Sequence, residues 1–153
     1  MRLPSYIEEP FEEWRASFRF YVETTVRFSE TDMFGHMNNV TPFVYFEEAR
    51  IAFFQKTGIV DKRMKRVKET ITVVANLQCD YIKQVEIGER LRVYVKPEKV
   101  GSSSLILHYL GENEQQEPCF TGSVTMVQIN KETGASVPFT EEEKETFQAQ
   151  RNG

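Results

Sequence analysis

Long apolar runs are missing from this chain, and so are clustered cysteines and any surplus of positive charge. No window stays apolar for the length that a bilayer-spanning helix requires, so no membrane-embedded segment is expected. The opening stretch Met1-Arg2-Leu3-Pro4-Ser5-Tyr6 runs into Glu8, Glu9, Glu12 and Glu13, unlike a secretory signal, and a cytoplasmic location is expected. Net charge is -4, which argues against wholesale binding to nucleic acid. The two cysteines, Cys79 and Cys119, have neither metal-ligand spacing nor a disulfide framework and read as buried, reduced thiols. Histidine is equally scarce. His36 and distant His108 do not make a metal site with Asp32, because no third nearby ligand has sensible spacing. Neither a metal nor another cofactor is implied.

What is present suits one domain of ordinary size. The 153 residues can bury a single substantial core, and twelve phenylalanines supply it with aromatic bulk. Residues 1–19, with Pro4, Pro10, Phe11, Trp14 and several acids, read as an N-terminal arm carrying a short helix around Glu12–Phe18. Phe11 and Trp14 are its candidates for packing across a subunit interface. Residues 20–139 carry the main domain and residues 140–153 a C-terminal helix and tail. That last helix opens at Thr140-Glu141-Glu142-Glu143, which fits a capping box.

Within the main domain, Phe20 to Phe28 alternates as a strand, through Val22, Thr24, Val26 and Phe28. A helix is predicted from Thr41 (the N-cap) and Pro42 to about Lys56, with Gly58 as its stop. Its apolar face is Phe43, Phe46, Ala49, Phe53 and Phe54, and Val44, Tyr45, Ile51 and Ala52 lie off that face. A helix apolar on most sides is usually buried. Only Glu48 points clearly opposite, while Glu47 and Arg50 are spaced to pair. Strand patterns follow over Thr70–Lys83, Glu89–Lys96, Ser103–Gly111 and Phe120–Ile129. The order predicts an α+β fold in which a five-stranded antiparallel sheet wraps one long central helix. Such a sheet leaves an edge and part of the helix exposed, and a homodimer or homotetramer would cover them.

The densest polar chemistry is Asp32-Met33-Phe34-Gly35-His36-Met37-Asn38-Asn39, between the first strand and the central helix. Thr31 to Asn39, followed by Phe43-Val44-Tyr45-Phe46-Glu47-Glu48-Ala49-Arg50, resembles the acyl-CoA thioesterases of the hotdog fold. The closer likeness is to the 4-hydroxybenzoyl-CoA thioesterase-like branch, with its Asp-x-x-Gly-His-x-Asn-Asn pattern before the helix. The resemblance runs from about Phe20 to Thr133, and the arm is longer than the family leads one to expect. It implies hydrolysis of an acyl- or aroyl-CoA to the free acid and CoA at a dimer interface. It also implies that Asp32 is the catalytic carboxylate and that the backbone N–H of Asn39 polarises the thioester carbonyl.

Elementary chemistry agrees with those roles. A helix N-terminus offers unpaired N–H groups and a favourable dipole where negative charge develops, and the same field favours an ionised Asp32. Taken alone, Asp32 before a glycine-containing turn fits a turn-capping aspartate, and its neighbours tip the balance toward catalysis. His36 and Asn38 are candidates for substrate binding, with a turn-holding role as the alternative. Gly101, Ser102 and Ser103 are further substrate-binding candidates where a plain turn serves almost as well. Glu47 and Glu48 are rival carboxylates, better explained by the Arg50 pair and by solvent. The basic run Lys62, Arg63, Lys65, Arg66 and Lys68 reads first as a solvated loop and second as a contact for CoA phosphates. Two other functions stay open at this level: a non-catalytic acyl-CoA or acyl-carrier binding module, and a hotdog enoyl-CoA hydratase/dehydratase.

Overall fold

In a computed structural model, which describes residues 2–58 and 69–152, the chain orders as helix, strand, helix, four strands, helix. The strands are β1 (Phe20–Thr25), β2 (Thr70–Tyr81), β3 (Arg90–Val100), β4 (Ser104–Asn113) and β5 (Pro118–Asn130). They form one antiparallel sheet in the order β1-β3-β4-β5-β2. The helices are α1 (Phe11–Ala16), α2 (Thr41–Thr57) and α3 (Glu141–Asn152). The sheet wraps α2, which is the hotdog arrangement expected from the residue pattern.

Alternation explains the inner face. Leu91, Val93 and Val95 of β3, Leu105, Leu107 and Tyr109 of β4, and Phe120 and Val124 of β5 join Phe46, Ala49 and Phe53 of α2 in one buried cluster. Phe46 stacks on Tyr109 with ring centroids 4.3 Å apart. It sits over Gly122, where a Cβ atom would overlap its ring, so the helix is seated on a strand position with no side chain. Gly58 closes α2 in the left-handed conformation, φ +75°, as the sequence predicts. The Thr140 capping box forms too: Thr140 N–H donates to Glu143 and Glu143 N–H to the Thr140 hydroxyl. Both cysteines are free thiols, Cys119 buried and Cys79 half-buried.

Four expectations are corrected. The first strand ends at Thr25, because the Arg27 N–H donates to Glu30 Oε1 and a 3-10 turn over Phe28–Glu30 redirects the chain; Phe28 is 82% exposed. The cap residue of α2 is Val40, and the Thr41 hydroxyl instead donates to the Glu30 carbonyl. The central helix is not enclosed on most sides within one chain, since Val44, Glu47, Glu48 and Ile51 lie exposed along it. Trp14 belongs to its own subunit: it is fully buried with Ile7, Phe18 and Leu110 on the outer face of the sheet.

The arm therefore gives the sheet a second covered face. Beneath it, Trp14 Nε1–H donates to His108 Nδ1 at 2.9 Å, and Tyr6 and Thr121 hydroxyls are bonded at 2.6 Å. Lys96 Nζ bonds Ser17, lies 3.1 Å from Glu98, and sits over the rings of Trp14 and Phe18. Among the described residues no helix is long and apolar enough to cross a membrane.

Candidate active site

The turn from Asp32 to Asn39 is built by its own hydrogen bonds. Asp32 N–H donates to the His36 carbonyl at 2.8 Å, and Asp32 Oδ1 accepts from the amides of Phe34 (2.9 Å) and His36 (3.2 Å). Gly35 takes the positive φ of +80° that closes this loop. Met37 N–H then donates to the Val85 carbonyl and Asn38 N–H to the Glu30 carbonyl, which ties the turn to neighbouring segments.

Asn38 organises the start of α2. Its side-chain oxygen accepts from Val40 N–H at 3.1 Å and its carbonyl from Thr41 N–H at 3.0 Å. From Phe34 to Thr41, every amide thus has an acceptor except that of Asn39, which has none among the described residues. Pro42, next in line, has no N–H to offer. One donor is left at the N-terminal end of a 17-residue helix, where the backbone dipoles favour negative charge. Asp32 Oδ2 is likewise without a hydrogen-bond partner among the described residues.

Both residues line one cavity of about 370 Å³, together with His36, Tyr81, Ile82 and Lys83 among others. Tyr81 comes from the end of β2, and its hydroxyl donates to the Asn39 carbonyl. Partial burial, with a smaller contribution from Cys79, pushes the Tyr81 phenol up to about 12, so it stays a neutral donor at ordinary pH. Its part in the site was hidden in the sequence, where it is one more residue of an alternating strand 42 positions from Asn39.

The remaining candidates divide. His36 lines the cavity, and Asn38 acts by holding the helix start. Gly101, Ser102 and Ser103 follow the far end of β3, whose start adjoins the Asp32 turn and whose 11 residues extend roughly 33 Å. There the Ser102 and Ser103 carbonyls accept from the Phe139 and Gln128 amides, so within one chain this turn is held by β5 and the segment after it and does not line the Asp32 cavity. Glu47 is exposed and 3.9 Å from Arg50; Glu48 is exposed, and neither lines the cavity. His108 is on the opposite face of the sheet, bonded to Trp14, so it is not brought to Asp32 and His36. Lys62, Arg63, Lys65, Arg66 and Lys68 lie outside the described residues.

The sequence model of the thioesterase-like superfamily matches residues 26–147, and with the hotdog sheet around α2 it places the chain in that superfamily. The chain is 61% identical to the uncharacterized protein YsmA of Bacillus subtilis (strain 168), over 96% of its own length and 97% of the relative's. Among solved structures it is similar to a thioesterase from Thermus thermophilus complexed with coenzyme A and Zn. There the TM-score is 0.74 at 28% identity, covering 90% of this chain and 98% of that one. It is also similar to a DHNA-CoA thioesterase from Staphylococcus aureus, with TM-score 0.75 at 25% identity over 86% of this chain and 92% of the other.

Proposed function

We propose that this chain is a cytoplasmic acyl-CoA thioesterase that hydrolyses an acyl- or aroyl-CoA to the carboxylic acid and CoA. The observation that carries the reading is that one cavity is lined both by Asn39, whose amide has no acceptor among the described residues, and by Asp32, whose Oδ2 has no partner among them. The amide receives the thioester oxygen, which gains negative charge as the carbonyl carbon becomes tetrahedral. A preorganised donor of this kind is worth about 3–4 kcal/mol in the transition state. Oδ2 either draws a proton from the attacking water or attacks the carbonyl itself. Direct attack gives a mixed anhydride that water then hydrolyses to the acid and free Asp32. In both cases CoA leaves as a stable thiolate that needs little acid assistance.

Asp32 thus has two jobs on two oxygens: Oδ1 shapes the turn and Oδ2 does chemistry. Asp32→Asn separates them, because the amide oxygen still accepts from Phe34 and His36 while the negative charge is gone. Free-thiol release from aromatic, medium-chain and long-chain acyl-CoAs is expected to fall at least about 100-fold in this variant. Full turnover in folded Asp32→Asn would sink the assignment. A dehydratase would need an imidazole ring working with a carboxylate, and His36 meets Asp32 through its backbone N–H instead.

The working form is proposed to be a homo-oligomer. Strand β2 is an edge strand of 12 residues whose outer side pairs with nothing among the described residues, and Val74 and Leu77 are exposed along it. A second copy pairing there would remove the open edge and bring a partner's surface beside the cavity.

A further inference from the structure

Among the described residues, the segment Asn38–Val40 is hydrogen-bonded to near neighbours in sequence, with one exception. The Tyr81 hydroxyl, from 42 positions away, donates to the Asn39 carbonyl. Tyr81 is firmly mounted. It ends β2 opposite Phe120 of β5, and the next two amides, Ile82 (2.8 Å) and Lys83 (3.0 Å), both donate to the Cys119 carbonyl. Phe120 and Cys119 belong to the buried core cluster. The hydroxyl is thus carried by the sheet, whereas the backbone it meets is otherwise held by short-range bonds.

Two peptide planes meet at Asn39, and their partners set its backbone angles. In the first, the Asn38 carbonyl accepts from Thr41 N–H at 3.0 Å, and the trans peptide points the Asn39 N–H the opposite way. In the second, Tyr81 holds the Asn39 carbonyl and the Asn38 side chain holds Val40 N–H at 3.1 Å. Without the phenol hydroxyl that second plane keeps a single, exposed side-chain bond. We propose that Tyr81 is a positioning residue for thioester hydrolysis, its hydroxyl locking the Asn39 backbone so that the Asn39 N–H keeps one fixed direction. This rests on the thioesterase reading above, which makes that N–H the carbonyl donor. A donor that must not reorganise as charge develops gains most from a rigid mount. The competing role is a direct bond from Tyr81 to substrate, but a phenol has one proton to donate and the Asn39 carbonyl already takes it.

The test pairs Tyr81→Phe, which deletes only the hydroxyl of a side chain that is half exposed, with Asn38→Ala, which frees the other end of the same peptide. The probes are ketone analogues of benzoyl-CoA and octanoyl-CoA with a methylene in place of the thioester sulfur. They keep the carbonyl and cannot be hydrolysed, and difference infrared spectroscopy on the full chain reads their carbonyl stretch. Wild type should move the stretch to lower frequency, as a hydrogen bond to the oxygen does, and both variants should move it less. On an acyl-CoA that wild type turns over, Tyr81→Phe should lower kcat about tenfold, with KM within about twofold and the pH profile unchanged. A wild-type stretch in both variants overturns the proposal and leaves the hydrolase reading intact. Loss of one limb of the pH profile in Tyr81→Phe also overturns it, in favour of proton transfer by the phenol. A shift weakened by both variants in a chain that releases no thiol would refute the hydrolase reading and leave the link from Tyr81 to Asn39 standing. No thiol release and no shift in wild type would refute both.

Discussion

The chain has two histidines, and their surroundings could hardly differ more. His36 is half-buried in a turn whose backbone makes the hydrogen bonds, at the mouth of a cavity. His108 is 1% exposed beneath the arm, in a setting of side chains: Trp14 donates to it, and Lys96, Glu98, Glu9 and Tyr6 stand around it. Because Nδ1 accepts from Trp14, it carries no proton, and the Glu98 carboxylate 3.7 Å away faces a neutral ring. The lesson is where polarity is spent. On the outer face polar groups are buried and mutually satisfied, and they anchor the arm. At the turn one amide and one carboxylate oxygen are left without partners among the described residues, where the proposed substrate would engage them.

That contrast breaks first at Trp14. The residue is fully buried, meets Phe18 edge to face at 4.8 Å and satisfies His108, so Trp14→Ala is expected to cost about 3–5 kcal/mol in urea unfolding. A loss below about 1 kcal/mol would show that the arm is not anchored there.

Acid probes the same place more gently. Burial, with the positive charge of Lys96 adding to it, holds His108 at about 4 in the folded chain against an ordinary 6.5, and Glu9 opposes this weakly. Between those values the unfolded chain binds the extra proton. Stability therefore rises with pH across that window and is lost as pH falls from about 6.5 toward 4, by up to about 3 kcal/mol. His108→Phe should be less stable at pH 7.5, since Trp14 loses its acceptor, yet show a shallower fall by pH 4.5. Identical slopes in the two proteins would remove His108 as the cause.

The smallest effect is expected at the turn. Asp32→Asn keeps both Oδ1 bonds, so its unfolding free energy should stay within about 0.5 kcal/mol of wild type even as turnover collapses. A loss of several kcal/mol would mean that the charge at Asp32 serves the fold.

Much of the architecture was legible in the residues. Leu105, Leu107 and Tyr109 do share the buried face, and α2 stops at Gly58, where the chain turns left-handed after the aromatic run. The outer face was not legible. Lys96, His108 and Thr121 alternate with apolar neighbours as solvent-facing residues do, and they are buried beneath an arm whose bonds to them span 79 to 115 positions of sequence. Phe28 continued the alternation but sits past a turn that one side-chain bond from Glu30 imposes. At the candidate site, Asp32, His36 and Asn39 of the turn singled out in the sequence line one cavity. Tyr81 carried no signal, because its placement beside Asn39 comes from the closing of the sheet.

The free N–H at position 39 has a consequence for how such a protein can drift over generations. The proposed carbonyl donor is part of the main chain, and nineteen of the twenty amino acids supply it equally well. Replacement of the Asn39 side chain would leave the donor in place, and proline alone would delete it. Position 39 is therefore free to vary in a lineage that keeps the reaction. The burden of fidelity falls on the residues that hold the backbone around it, above all Asn38, whose side chain and carbonyl occupy the two amides that would otherwise compete.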